Sequence, residues 1–185
     1  MNEAEAEQLV HKAVKLAGLK AVGVMMSTPL GKNCLSAAAV AAAILQHFKV
    51  PFTIVAGFTH MEGTAQSFPH VWLESPGGIV TDLTFSGPYR KVIILNWAVG
   101  FHDDAMRAVY TREPEYPVDA SKSLPLDVLQ FQASNISAYV ARGPQHVKEA
   151  IGQALSKAFD GSDRLEIQGV SADLLAGAVM PQEHL

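Results

Sequence analysis

Cysteine is nearly absent from this chain. Cys34 is the single one in 185 residues, which excludes a disulfide framework within the chain and leaves a cysteine-built zinc site without ligands. A lone free thiol suits a reducing compartment. Charge is scarce too: Asp, Glu, Lys and Arg make up 17% of the residues, below the roughly 25% typical of soluble domains. Such a deficit implies a well-buried core or an apolar surface kept for a partner. Net charge is -4 and the basic residues are scattered, so the basic stripe of a nucleic-acid binder is missing. The most apolar run, Leu35 to Leu45, is alanine-rich, ends in Gln46 and His47, and is shorter than the ~20 residues of a membrane span. The opening MNEAEAEQLVHKAVKL is acidic, unlike a secretory signal. These absences lead to the expectation of a soluble, cytoplasmic protein with no nucleic-acid or membrane partner.

What is present is 49% hydrophobic, enough to build one domain with a real core. The expected organisation is a single domain, 1–185, with its core over about 20–100 and a helical extension over about 101–185. Residues 3–17 have helical spacing, and Gly18 and Gly23 are expected to punctuate the end of that helix. STPLGKN, 27–33, is a run of turn formers. Asn33 is a candidate N-cap with Cys34 first in the following helix, which runs on alanine to about Phe48 until Pro51 stops it. FTIVAGF (52–58), HVWLES (70–75) and IVTDLTF (79–85) read as strands, the last two joined by the turn Pro76-Gly77-Gly78 into an antiparallel hairpin. Residues 92–100 fit a strand or a buried helix, and 101–111 a short helix. Pro114, Pro117 and Pro125 mark a surface connection. Helices are expected over 126–140 and 144–159, and mixed turn and helix signals over 160–185.

The chemistry-bearing residues lie in the order cysteine, histidine, aspartate. At a helix start the positive end of the macrodipole favours a thiolate. Backbone N–H groups without helical partners lie beside the sulfur, ready to stabilise an oxyanion, the N–H of Cys34 first among them. His70, opening a strand, is a candidate base for the thiol and acid for a leaving group. Asp82, on the neighbouring strand, can hold one ring nitrogen and fix the tautomer. Each residue also has a plainer reading: an inert buried thiol, a structural histidine, a turn-capping aspartate. Order, spacing and element type together favour the chemical one. Val71, Leu73 and Val80 are expected on the opposite face of the strands. Trp72 shares the His70 face, either shielding the His–Asp pair and lining a cleft or serving as a core aromatic, and Glu74 reads as a solvated strand end. Ser27, Thr28 and Asn33 are candidates for a second oxyanion donor, Asn33 more simply as the helix cap. His60, Glu62, His102, Asp103 and Asp104 raise a metal site only weakly, since no HExxH or repeated-carboxylate loop exists. Without a GxGxxG or P-loop motif, no nucleotide cofactor is expected.

NCLSAAAVAAAILQHFKVPFTIVAGF, FPHVWLE and GGIVTDLTF together resemble the core of the transglutaminase-like superfamily of papain-fold enzymes, over residues 30–86. The pattern is similar to that of bacterial transglutaminase-like peptidases, including lasso-peptide leader peptidases, and arylamine acetyltransferases share its logic. The matching features are Cys34, Val50-Pro51, His70-x-Trp72-x-Glu74, Gly77-Gly78 and Asp82. One departure is the nearly all-alanine helix, where the family often has a bulky or basic residue soon after the cysteine. The resemblance implies an α+β, papain-like fold, a helix with an N-terminal cysteine packed on an antiparallel sheet. It also implies Cys34 as nucleophile, His70 as base and acid, and Asp82 as orienter; Trp72, Asn33 and Thr28 are expected, from their positions beside these residues, to face the substrate. The expected activity is cysteine-dependent acyl transfer without a cofactor, chiefly hydrolysis of a peptide or amide bond in a peptide or protein substrate. A transglutaminase or amine acyltransferase, and an inactive protein-binding module on the same fold, are the alternatives.

Overall fold

Asn33 starts the central element of the molecule. Its Oδ1 accepts hydrogen bonds from the N–H groups of Leu35 and Ser36, at 3.1 and 3.2 Å, two of the donors a helix leaves unsatisfied at its start. Helix α1 then spans Cys34–His47. The computed structural model describes residues 14, 17–18, 20–25, 27–28, 33–61, 63–76, 79–84, 94–95, 108–121 and 123–159. Every α1 residue from Leu35 through Leu45 is buried, as expected of a helix that is apolar on all sides. The helix ends in a Schellman turn rather than at Pro51 itself. Val50 N–H donates to Leu45 O and Lys49 N–H to Gln46 O, with Lys49 in the left-handed region at φ 56°.

The β-branched and aromatic stretches after Pro51 form strands β1 (Thr53–Met61), β2 (Phe68–Ser75) and β3 (Ile79–Thr81). With β4 (Ile94–Leu95) and β5 (Ala108–Thr111) they make a five-stranded sheet in the order β4-β3-β2-β1-β5. Each neighbouring pair is antiparallel. Helices α2 (Leu126–Ala133), α3 (Ile136–Arg142) and α4 (Gln145–Ala158) follow. The architecture is α+β. Ile54, Ala56, Val71 and Leu73 on one side of the sheet join α1, Leu129, Ile136, Ile151 and Leu155 in the main core. Val55, Trp72 and Val80, with Tyr110, form a smaller cluster of their own.

Several elements differ from expectation. Residues 20–25 are helical, so Gly23 lies within a helix instead of ending one. Residues 108–111, expected to be helical, form edge strand β5, because Val109, Tyr110 and Thr111 are stronger strand than helix formers and β1 offers a free edge to pair. The helix expected over 126–140 breaks at Ser134-Asn135, where Ser134 Oγ and Asn135 Nδ2 both bond Phe131 O. Val80 pairs with Glu74, which places it with Trp72 and not with Val71 and Leu73. The third strand is shorter than 79–85, ending at Thr81. Of 92–100 only Ile94–Leu95 are described, as a strand. Most of 3–17, 101–107 and 160–185 lie outside the described residues.

Candidate active site

Alternation along β2 sends Val71 and Leu73 to the main core and His70, Trp72 and Glu74 to the other side. Asp82 continues the alternation of Val80 on the adjoining strand, one residue past the end of the β3 ladder. His70 Nε2 and Asp82 Oδ2 are 2.7 Å apart, with both side chains buried. The ring of His70 also interacts with Cys34 by hydrogen bond and charge. Cys34 itself is only partly buried.

Burial works against a charged imidazole here, but the charge and hydrogen bond of Asp82, with those of Cys34, outweigh it and raise the His70 pKa to about 10. Burial likewise opposes the Asp82 carboxylate. Its partners hold its pKa below the ordinary value: His70, the Thr84 N–H that donates to Oδ1 at 2.8 Å, and the Tyr110 hydroxyl. The resting site is thus an imidazolium between a carboxylate and a sulfur.

Aromatic rings surround that imidazolium. Trp72 lies nearly parallel to it with centroids 6.5 Å apart, Phe68 stands edge-on at 6.3 Å, and Tyr110 is tilted at 6.2 Å. Trp72 is fully buried. Its Nε1–H donates to Glu74 Oε1 at 2.8 Å, Arg112 Nη2 donates to Glu74 Oε2 at 2.7 Å, and the guanidinium lies over the indole at 5.6 Å. Glu74 therefore clamps the indole and does not simply end the strand in solvent. The indole needs Gly57, the residue paired with His70. A Cβ there would stand 2.6 Å from both Trp72 Cη2 and the Thr111 carbonyl oxygen. Gly57→Ala is expected to cost about 1–3 kcal/mol through overpacking against backbone. Thermal unfolding checks this, and an unchanged midpoint would show that the sheet yields freely at that point.

The residues before Cys34 are engaged structurally. Asn33, besides capping α1, donates from Nδ2 to Tyr139 Oη at 2.9 Å, and Ser36 Oγ is 3.2 Å from the same oxygen. Thr28 Oγ1 donates to Met25 O and Ser27 Oγ to Val24 O. With the Leu35 and Ser36 N–H groups turned to Asn33, the Cys34 N–H is the helix-start donor left beside the sulfur among the described residues. His60 is buried, 3.6 Å from Glu115 and edge-on to Tyr116. Glu62, His102, Asp103 and Asp104 lie outside the described residues. Among those described, no three His, Cys, Asp or Glu side chains gather as metal ligands, and no helix is long and apolar enough to cross a membrane.

Tyr110 is the contact that sequence reasoning missed: its hydroxyl donates to Asp82 Oδ2 at 2.8 Å. The only signal in the sequence is the β-branched and aromatic run AVYT, at the end of the stretch expected to be helical. Residues 3–93 match the family model described as the Transglutaminase-like superfamily. No curated protein and no solved structure matches the chain.

Proposed function

Because residues 3–93 of this chain belong to the transglutaminase-like superfamily, we propose that the protein is a cysteine-dependent acyl-transfer enzyme that works through a thioester on Cys34. The observation that carries the reading is the His70 ring, 2.7 Å from Asp82 through Nε2 and interacting with Cys34. In the reacting form the thiol proton is already on the His70 imidazolium. The thiolate adds to the carbonyl carbon of an amide, and the Cys34 N–H stabilises the oxyanion. The imidazolium then protonates the departing amine as the C–N bond breaks, leaving a thioester. Water, deprotonated by the now neutral His70, attacks that thioester and releases the acid. Water is the default acceptor, so hydrolysis of a peptide or amide bond is the favoured outcome. The partly exposed sulfur and the inward-turned histidine support a working site over a protein-binding module on the same fold.

The test uses an activated acyl ester and intact-mass spectrometry. An adduct of the acyl mass that forms on the full chain, decays in water and is absent from Cys34→Ala is the expected result. Faster decay on adding a primary amine would redirect the reading to a transferase. No adduct at any pH would overturn it in favour of the binding module.

A further inference from the structure

Asp82 has little to hold it from its own strand. The β3 ladder ends at Thr81, so the carboxylate depends on the groups around it. Oδ1 takes the Thr84 N–H, and Oδ2 takes both His70 Nε2 and Tyr110 Oη. Tyr110 comes from the far side of the sheet. In the order β4-β3-β2-β1-β5, two strands separate β5 from β3, which on a flat sheet is roughly 14 Å of backbone separation. The contact closes across that distance only because the sheet curls, with Tyr110 leaning over Trp72, their ring centroids 5.1 Å apart. Tyr110 also lies beyond the family-matched segment, which stops at residue 93.

We propose that Tyr110 is a positioning residue of this site, its hydroxyl fixing the Asp82 carboxylate so that the carboxylate orients His70 toward Cys34. The proposal rests on the acyl-transfer reading above. The hydroxyl does two things at once. It satisfies the lone pair on Oδ2 that His70 leaves open, which a buried carboxylate requires. It also shares the negative charge that His70 would otherwise receive alone, and so moderates how tightly the imidazolium holds its proton. Tyrosine suits this role because its donor stays protonated there: burial, then the Asp82 charge and hydrogen bond, push the Tyr110 pKa well above its ordinary range.

The experiment follows the His70 ring by NMR from pH ~5 to pH ~11 in four full-length chains: the native chain, Tyr110→Phe, Asp82→Asn and the double variant. Phenylalanine keeps the ring and removes only the donor. The expected result is an upward shift of the His70 midpoint by about half a unit in Tyr110→Phe, and no further shift when Tyr110→Phe is added to Asp82→Asn. The cycle isolates action through the carboxylate. A Tyr110→Phe chain that unfolds at lower temperature but titrates as the native chain does would overturn the proposal and leave Tyr110 a packing residue. An equal shift in both backgrounds would also overturn it, by showing that Tyr110 acts on His70 without Asp82. Alkylation of Cys34 by iodoacetamide in the native chain and in His70→Ala separates this from the parent reading. If alkylation ignores His70, the acyl-transfer reading falls. If alkylation needs His70 while Tyr110→Phe leaves the titration unmoved, only the tyrosine proposal falls.

Discussion

In His70→Ala, acylation of Cys34 by an activated ester at neutral pH is expected to slow by on the order of 10²–10⁴. His70 is the one titratable ring interacting with the sulfur among the described residues. With a pKa of about 10, it stays protonated through neutral pH and sets a positive charge beside the sulfur. Remove the ring and the sulfur retains only the positive end of α1, worth about 0.3–1 kcal/mol at a partly exposed site. The comparison is made where circular dichroism shows both chains folded, since the substitution also leaves Asp82 buried beside an empty space. A rate within a factor of two of native would mean that the helix alone activates the thiol, and the histidine would lose its role.

The largest effect on stability is expected from Asp82→Ala, a loss of about 3–5 kcal/mol at neutral pH. The cause is a buried imidazolium left without its counter-charge. The pH dependence carries the signature. His70 has a folded pKa of about 10, above the ordinary 6.5, so its contribution is fully present below pH 6.5. It declines as pH rises toward 10. Asp82 has a lowered folded pKa, so its contribution is present above the ordinary carboxylate range and is lost as pH falls through that lowered value. Native stability should therefore fall between pH 6.5 and 10. In Asp82→Ala the fall should flatten, because burial then opposes protonation of His70 with only Cys34 on the other side. Urea unfolding at several pH values reads both curves. Parallel curves would show that the pair does not couple to folding.

The local part of this site was legible because local chemistry sets it. Asn33 before an alanine run announces a helix start at Cys34, and turn residues at 76–78 announce the hairpin that brings strands 70–75 and 79–81 together. Register was less accessible. Whether Val80 sides with Trp72 or with Leu73 depends on how many residues the turn absorbs, and a slip of one reverses every side chain. Glu74 looked like a solvated strand end because its two partners act from different ranges, Trp72 two residues away and Arg112 on the chain leaving β5. Tyr110 was invisible for the same reason in stronger form. Its partner is 28 positions back, just past the end of a strand it does not adjoin, and only the curl of the finished sheet joins them. The break at Ser134-Asn135 was hidden because both residues are tolerated inside helices, and here their side chains bond Phe131 O instead.

Both ends of the site are tied down by phenols from outside the matched segment: Tyr110 on Asp82, Tyr139 on the Asn33 that caps α1. Anyone transplanting the three-residue constellation into another scaffold, or trimming this chain to residues 3–93, would carry over the reacting atoms and leave behind their two anchors. The smallest portable unit is then set by hydroxyl groups and not by the motif. It has to reach into α3, as far as Tyr139.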